Sequence, residues 1–236
     1  ISYSQLSIYN QCKKRWSLQY KEGNKIFTSN ISTVFGTSIH ETIQLYLDTI
    51  YNKSGAEADR LNLEEIFENK LREEYSKQFK KNKNQHFTSP QDLREHFDDG
   101  VAILNFLKKN RGKYFRKKYW HLVGCEIPLR SNPNPKLLNV VFEGFIDVVL
   151  YNELTESFLI LDIKTSTRSW GDKQKKDKTK QHQLLLYKKY FSEQFNIPIE
   201  LIDVEFFIVK RKIIEESEFP QKRIQRFIPP SGKNSM

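Results

Sequence analysis

The spacing of apolar residues changes near residue 118 of the chain. Before that point, apolar residues recur every three or four positions, which is the pattern of helices with one buried face. We expect the first helix to start near Ser4, because serine commonly caps helix N-termini. The pattern predicts four helices, at about residues 4–20, 34–51, 62–79 and 92–114.

After residue 118, short apolar runs alternate with turn-forming segments such as "SNPNPK" and "NELTE", which is typical of strands. We predict strands at 120–130, 140–151, 157–166 and 199–210, a helix at 180–195, and a short fifth strand within 219–229. This order predicts one α/β domain over residues 1–236, with a helical portion of about 1–118 and a mixed-sheet core of about 119–228. The chain starts at Ile1 and stops after "GKNSM", so we expect a trimmed piece that lacks a C-terminal element.

The predicted strand "SFLILDIKTS" places an acid and a base inside an apolar run. Asp162 and Lys164 are two residues apart, so both side chains point to the same face of the strand. The short turn before this strand predicts a hairpin centred between residues 154 and 155, which puts Asp147 opposite Asp162. We expect the other face of the second strand to be a single core face, made of Phe142, Ile146, Val148 and Leu150.

Two facing carboxylates repel each other, and a divalent cation between them removes that repulsion. Oxygen ligands at this separation suit Mg²⁺ or Mn²⁺, with water and a phosphate oxygen as further ligands. Lys164 would then orient and deprotonate a water molecule, or stabilise charge on the phosphate. The alternative is a structural ion pair between Asp162 and Lys164 on an exposed sheet face, which the apolar flanking residues disfavour.

The charge of the chain is strongly positive and unevenly distributed. The net charge is +10, and the segment "KKNRGKYFRKK" at 108–118 contains seven basic residues and no acid. Such clusters suit a nucleic-acid backbone, although a lysine-rich solvated surface would look the same. We interpret the segment 168–180 as a flexible DNA-gripping loop and 113–120 as a second contact, in which Tyr114, Phe115 and Trp120 either stack on bases or belong to the core. The predicted DNA contacts are Arg168, Lys173, Lys175, Lys176, Lys178 and Lys180 in the first segment and Lys113, Arg116 and Lys117 in the second.

The sequence contains two cysteines, Cys12 and Cys125, and no secretory signal or apolar run of membrane-spanning length. We therefore expect reduced thiols and a cytoplasmic location, in a bacterium or a phage-infected cell, with a mitochondrial location left open.

Several of these segments together resemble one enzyme family. "FEGFIDVV" followed by "LDIKTS" resembles the GxxD and (D/E)xK motifs of the PD-(D/E)XK nuclease superfamily. "FGTSIHETI", "QLLLY" and the opening "SYSQLSIYNQCKKRWSLQYK" are similar to the histidine motif, the QxxxY motif and the first helix of its RecB-type exonuclease branch, which includes CRISPR-associated and phage nucleases.

The resemblance implies a restriction-endonuclease-like core: a helix, a three-stranded antiparallel meander, a helix and a strand, with additional N-terminal helices. It further implies a Mg²⁺- or Mn²⁺-dependent DNA exonuclease that acts in replication, repair or recombination, with a helicase or recombinase as candidate partner. His40, Asp147, Asp162 and the backbone carbonyl of Ile163 would ligate the metal, and Glu143 is a secondary candidate ligand. Lys164 would be the catalytic lysine, and Gln183 and Tyr187 would line the site and position Lys164 or contact DNA.

Three consequences follow from this resemblance. A histidine ligand favours Mn²⁺ at least as much as Mg²⁺, and protonation of His40 near pH ~6.5 would weaken metal binding. Some relatives bind an iron–sulfur cluster through four cysteines, but this sequence has two, so we expect no cluster. The alternatives are a nuclease-fold subunit that binds DNA without cutting it, and a nuclease for RNA or branched DNA.

Overall fold

The computed structural model describes residues 1–24, 28–115, 118–132, 136, 140–214, 218 and 221–230. The α-helices are α1 (Tyr3–Gln11), α2 (Lys13–Trp16), α3 (Ile31–Asp48), α4 (Gly55–Arg60), α5 (Leu63–Lys81), α6 (Pro90–Lys109), α7 (Arg111–Tyr114), α8 (Asp172–Lys175) and α9 (Lys178–Phe195). The strands are β1 (Trp120–Ser131), β2 (Phe142–Asn152), β3 (Ser157–Ser166), β4 (Ile202–Lys210) and β5 (Ile224–Phe227). π-Helical turns at Ser17–Lys21 and Thr49–Lys53 continue α2 and α3, and a 3-10 turn at Ile199–Leu201 precedes β4.

The four predicted N-terminal helices are present, but the first differs from the prediction at both ends. Ser2, not Ser4, is its N-cap: the Ser2 hydroxyl accepts a hydrogen bond from the Gln5 N–H at 3.3 Å, while Ser4 already lies inside the helix. The helix ends at Gln11, and Cys12 separates it from α2. The Cys12 sulfur accepts a hydrogen bond from the Arg15 N–H at 3.4 Å and so caps the N-terminus of α2. A pattern of apolar positions alone does not reveal such a break, because the stripe continues across it.

The strands form a single sheet in the order β1-β2-β3-β4-β5. β1, β2 and β3 are an antiparallel meander, β3 and β4 are parallel, and β5 is antiparallel to β4. The parallel pair requires a crossover, which α9 provides between β3 and β4. The predicted core order of meander, helix and strand is therefore confirmed.

Helices cover both faces of this sheet and enclose two apolar cores. On one face, α3 lies on the sheet and α5 and α6 pack against α3, in a core that includes Leu161, Ile163 and Phe207. On the other face, α9 packs against side chains such as Ile160 and Phe206. Successive residues of β3 and β4 alternate between the two cores, as expected for strands buried on both sides.

β1 and β2 exchange faces halfway along their length. In β1, Cys125 packs with the α3 core and Ile127 with the α9 core; in β2, Val148 packs with the α3 core and Ile146 with the α9 core. Residues two apart in a regular strand would lie on the same face. Between Cys125 and Ile127, Glu126 has a φ of 52°, the left-handed conformation that rotates a strand locally.

The prediction that Phe142, Ile146, Val148 and Leu150 share one core face is therefore wrong. Phe142 and Ile146 belong to the α9 core, and Val148 and Leu150 belong to the α3 core. The exchange occurs between Ile146 and Val148, so Asp147 lies where the side chains of β2 change from one face of the sheet to the other.

Gly100 allows α5 and α6 to pack closely, which in turn supports α3. A Cβ atom at Gly100 would lie 2.2 Å from Cε1 of Phe67, which is fully buried.

We predict that Gly100→Ala lowers the free energy of unfolding by about 1 to 3 kcal/mol, because the added methyl group overpacks the core between α5 and α6. Urea unfolding measures this change. Gly112→Ala is the matched control: among the described residues outside its own helix backbone and chain neighbours, no atom lies within 4 Å of the added methyl group, so this helical position should be neutral or slightly stabilised. Equal stability of the two variants would contradict the prediction.

Candidate active site

The predicted motif residues meet where β2 and β3 stop pairing. The predicted hairpin register is confirmed in the ladder from Asn152–Ser157 to Val148–Leu161, but the ladder ends one pair before the two acids. Beyond that end, the Ile163 N–H donates instead to Asp147 Oδ2 at 2.7 Å. The Asp147 carboxylate thus satisfies a buried amide that the neighbouring strand no longer reaches.

His40 brings α3 to the same place. Its Nδ1 lies 3.8 Å from Asp147 Oδ2, and its ring is half-buried. Burial, together with the nearby positive charge of Lys164, lowers the pKa of His40 to about 4. The imidazole is therefore neutral at pH 7, the form in which histidine binds metals. The ordinary value of ~6.5 assumed from the sequence does not apply at this buried position.

Asp162 is the most deeply buried acid of the site, with 2% of its surface exposed. Burial raises the pKa of Asp162 to about 6, although the charge of Lys164 opposes the rise. The pKa of Asp147 is raised to about 6 for the same reason. One buried and one half-buried carboxylate thus share one nearby ammonium group, and the site favours additional positive charge.

Lys164 connects these acids to α9. Its Nζ lies 2.8 Å from Asp162 Oδ2 and donates a hydrogen bond to Gln183 Oε1 at 3.2 Å. The Gln183 amide in turn donates to the Tyr187 hydroxyl at 3.2 Å. Burial alone would lower the pKa of Lys164, but the Asp162 and Asp147 carboxylates raise it above its ordinary value, so the ammonium is charged.

Gly144 explains why Tyr187 fits there. A Cβ atom at this position of "FEGFID" would lie only 3.0 Å from the ring atom Cε1 of Tyr187. The glycine of the GxxD pattern therefore leaves room for the aromatic ring of the QxxxY pattern.

With these residues in place, the comparison with known families is decisive: the family model of the PD-(D/E)XK nuclease superfamily matches residues 1–228. The chain belongs to this superfamily. A search of curated proteins found no match to the chain. The observed meander, crossover helix and parallel strand are the restriction-endonuclease-like core that the sequence resemblance implied.

The residues of this PD-(D/E)XK site fit a hard divalent cation by their chemistry. A neutral imidazole and two carboxylates are suitable ligands, and the partner of the buried Asp162 Oδ2 among the described residues is the Lys164 ammonium at 2.8 Å. Among the residues that the structure describes, no three His, Cys, Asp or Glu side chains are grouped closely enough to form a complete metal centre. The donors are therefore present beside one another without being gathered around one point.

The sequence analysis missed two residues of the site, Gln44 and its hydrogen-bond partner Glu126. Gln44, one helical turn after His40, is buried and donates from Nε2 to Glu126 Oε1 at 2.6 Å and to the Asp147 carbonyl at 3.1 Å. It thus holds both strands at the point where they exchange faces. The available signal was a long amide side chain among the buried residues of α3, whose other buried polar residues are the small Ser38 and Thr42.

Glu143, the secondary ligand candidate, and Glu41, the neighbour of His40 on α3, both lie outside the cluster. Glu143 is exposed and forms an ion pair with Arg130 at 2.8 Å. Glu41 pairs with Lys70 at 2.8 Å, in agreement with a structural role.

The basic segment after β3 is more ordered than predicted. Trp170 is buried, and short helix α8 and the first turn of α9 occupy most of the segment interpreted as a flexible loop. Arg168, Lys173, Lys176 and Lys178 are exposed there, Lys175 and Lys180 are half-buried, and the Lys180 ammonium lies 4.9 Å from the Trp170 ring centroid. In the second predicted segment Lys113 is exposed, and Arg116 and Lys117 lie outside the described residues.

The aromatic residues of the second segment belong to the core. Phe115 is buried, and it and Tyr114 both pack against Phe207. Trp120 packs against the same core, so stacking on bases is not their role.

Cys12 and Cys125 are free thiols in the structure. Within the described ranges, no helix is long and apolar enough to cross a membrane.

Asp162→Asn is predicted to stabilise the metal-free protein at neutral pH. Because the folded pKa of Asp162 exceeds its ordinary value, the folded state holds more protons between about pH 4 and 6, and stability falls as pH rises through that range. Removing the charge should raise the free energy of unfolding at pH 7 by about 1 to 3 kcal/mol, and by much less at pH 4. Urea unfolding in EDTA measures both values, with the exposed Asp172→Asn as control. A less stable Asp162→Asn protein at pH 7 would contradict the charge balance described above.

Gln44→Leu is predicted to lower the free energy of unfolding by about 1 to 3 kcal/mol, because the Asp147 carbonyl and the Glu126 carboxylate lose their donor. Gln194→Leu is the matched control. Gln194 also bridges a helix to β1, through Pro128 and Arg130, but it is exposed to water. Thermal unfolding should show a larger loss of stability for Gln44→Leu than for Gln194→Leu. Equal losses would contradict the prediction that the buried bridge contributes more than the exposed one.

Proposed function

We propose that this chain is a divalent-metal-dependent deoxyribonuclease of the RecB type that removes nucleotides from DNA ends. One observation carries the proposal: a charged lysine is fixed beside the buried carboxylate of Asp162 and the half-buried carboxylate of Asp147, where the pairing of β2 and β3 ends. A structural ion pair needs one acid and one base, whereas Asp147, Asp162 and Lys164 leave an excess of buried negative charge.

In this proposal, His40, Asp147, Asp162 and the Ile163 carbonyl hold Mg²⁺ or Mn²⁺. The ion would supply Lewis-acid activation of water and neutralise charge on the scissile phosphate. A neutral His40 ligand favours Mn²⁺ at least as much as Mg²⁺.

Lys164 acts on the phosphate through its charge. With its pKa raised by the neighbouring carboxylates, Nζ carries three protons and cannot take another from water in the metal-free state. A fixed ammonium can stabilise the negative charge that develops on the phosphate when water attacks phosphorus and the bridging oxygen leaves. Gln183 and Tyr187 hold that ammonium in place through their hydrogen-bond chain, so their role is positioning.

The choice of DNA, of exonuclease action and of a role in replication, repair or recombination rests on the resemblance to the RecB-type branch. A helicase or recombinase partner rests on the same resemblance. The exposed basic residues around Arg168 and Lys113 support a nucleic-acid substrate.

Cleavage of end-labelled single- and double-stranded DNA tests the proposal. We expect hydrolysis with Mn²⁺ or Mg²⁺ and none in EDTA. Lys164→Ala should lower the rate by about 100-fold or more, because a fixed transition-state charge is lost. Mononucleotides released from one end would show exonuclease action, and a spread of fragment lengths would show internal cutting.

Lys189→Ala is the control, because this lysine lies on the exposed side of α9 and should leave the rate unchanged. Calorimetric titration of Mn²⁺ into the wild type and the Asp162→Asn protein adds a measurement without catalysis, in which only the wild type should bind tightly. DNA binding without cleavage under every metal condition would contradict the proposal and favour the non-catalytic alternative.

A further inference from the structure

A basic cavity lies beside the proposed active site, at the sheet edge where β3 and β4 end. Its volume is about 880 Å³, and its lining includes Lys113, Arg168, Lys210, Lys212, Lys222 and Arg226. No Asp or Glu is among the described residues that line it. The cavity therefore brings together one residue from each of the two predicted DNA-contact segments, Lys113 and Arg168, with basic residues that the sequence analysis had not selected.

Some of these cations are already neutralised. Lys212 pairs with Glu95 and Asp99, and Arg226 pairs with Glu205. Lys113, Arg168, Lys210 and Lys222 form no ion pair with any carboxylate in the described part of the chain. Among the lining residues that the structure describes, positive charge is therefore in excess.

Among the unpaired cations of the lining, Lys210 is the buried one, so its positive charge is the least stabilised by water. Only 4% of its surface is exposed, and its Nζ donates to the Ser169 hydroxyl at 3.1 Å. Burial lowers the pKa of Lys210, and the charge of Arg223 lowers it further. A buried ammonium next to other cations is stabilised when an anion approaches it. Because the hydroxyls of Thr167 and Ser169 also line the cavity, an anion with several acceptor oxygens suits it best.

The position of the cavity relates it to the catalytic lysine. Lys164 lies beside Ile208 in the parallel β3–β4 ladder, and Lys210 follows two residues later on the same face of β4. That separation is about 7 Å along the strand. Thr167, Arg168 and Ser169 continue directly from β3. A strand whose scissile phosphate contacts Lys164 would pass this cavity.

We propose that the cavity binds a non-scissile phosphate of the DNA strand, with Lys210 as its central cation. That the ligand is a DNA strand rests on the proposed function. That the ligand is an anion with several oxygens follows from the residues that line the cavity.

Lys210→Met tests the proposal because it removes the charge and keeps the apolar stem. A fluorescent single-stranded oligonucleotide is titrated with protein in EDTA, so that binding is measured without cleavage, at several NaCl concentrations. We expect about tenfold weaker binding. The plot of log affinity against log salt should also become shallower by about 0.7, the value for one phosphate contact on a single strand.

Lys188→Met is the matched control. Lys188 is also a buried lysine whose pKa is lowered by burial, but it faces Asp203 and Glu200 and lies outside the cavity. Its substitution should change neither affinity nor salt dependence. Lys222→Gln, at an exposed part of the lining, repeats the test if Lys210→Met fails to fold, which circular dichroism reveals.

The outcomes separate this inference from the proposed function. Weaker, less salt-dependent binding in the cavity variants supports the cavity, even if the wild type cleaves no DNA. Unchanged affinity and slope in both cavity variants overturn it, even if the wild type cleaves DNA efficiently.

Discussion

The contact between Lys164 and the buried Asp162 is the constraint around which the rest of the structure is arranged. Charges inside a protein are tolerated only when other groups compensate them. Here the compensation is incomplete, because Asp147 adds a second carboxylate with a raised pKa close by. The fold stabilises this imbalance with two well-packed cores, and a bound cation would relieve it.

The position of Asp147 depends on an irregularity shared by two strands. Glu126 adopts a left-handed backbone, the apolar faces of β1 and β2 exchange there, and Gln44 connects both strands to α3. The preceding turn of the same helix carries His40, so one helix sets the positions of the imidazole and of the neighbouring strand. A regular ladder through this point would pair the backbones and leave no free Ile163 amide for Asp147 to bind.

Most of the fold and of the motif constellation could be predicted from the sequence, because the deciding signals are local. The turn "NELTE" sets the hairpin register that places Asp147 near Asp162, and the spacing of four sets the contact between Gln183 and Tyr187. The face exchange at Glu126 could not be predicted, since a left-handed residue other than glycine has no clear signature. Ser2 and Ser4 are equally good caps by type, and only the packed backbone distinguishes them. The basic cavity was missed because Lys210 completes an apolar strand and joins Lys113 and Arg168 only through the folded chain.

The hydrogen-bond chain from Lys164 to Tyr187 has a direction that follows from chemistry alone. An ammonium group can only donate, so the Gln183 amide must turn its oxygen to Lys164 and its nitrogen to Tyr187. The Tyr187 oxygen is then an acceptor in this contact, and its own hydrogen points away from Gln183. The phenol hydrogen consequently takes no part in the chain to Lys164, and its partner must be an acceptor oxygen close to the hydroxyl, from the protein or from a bound molecule.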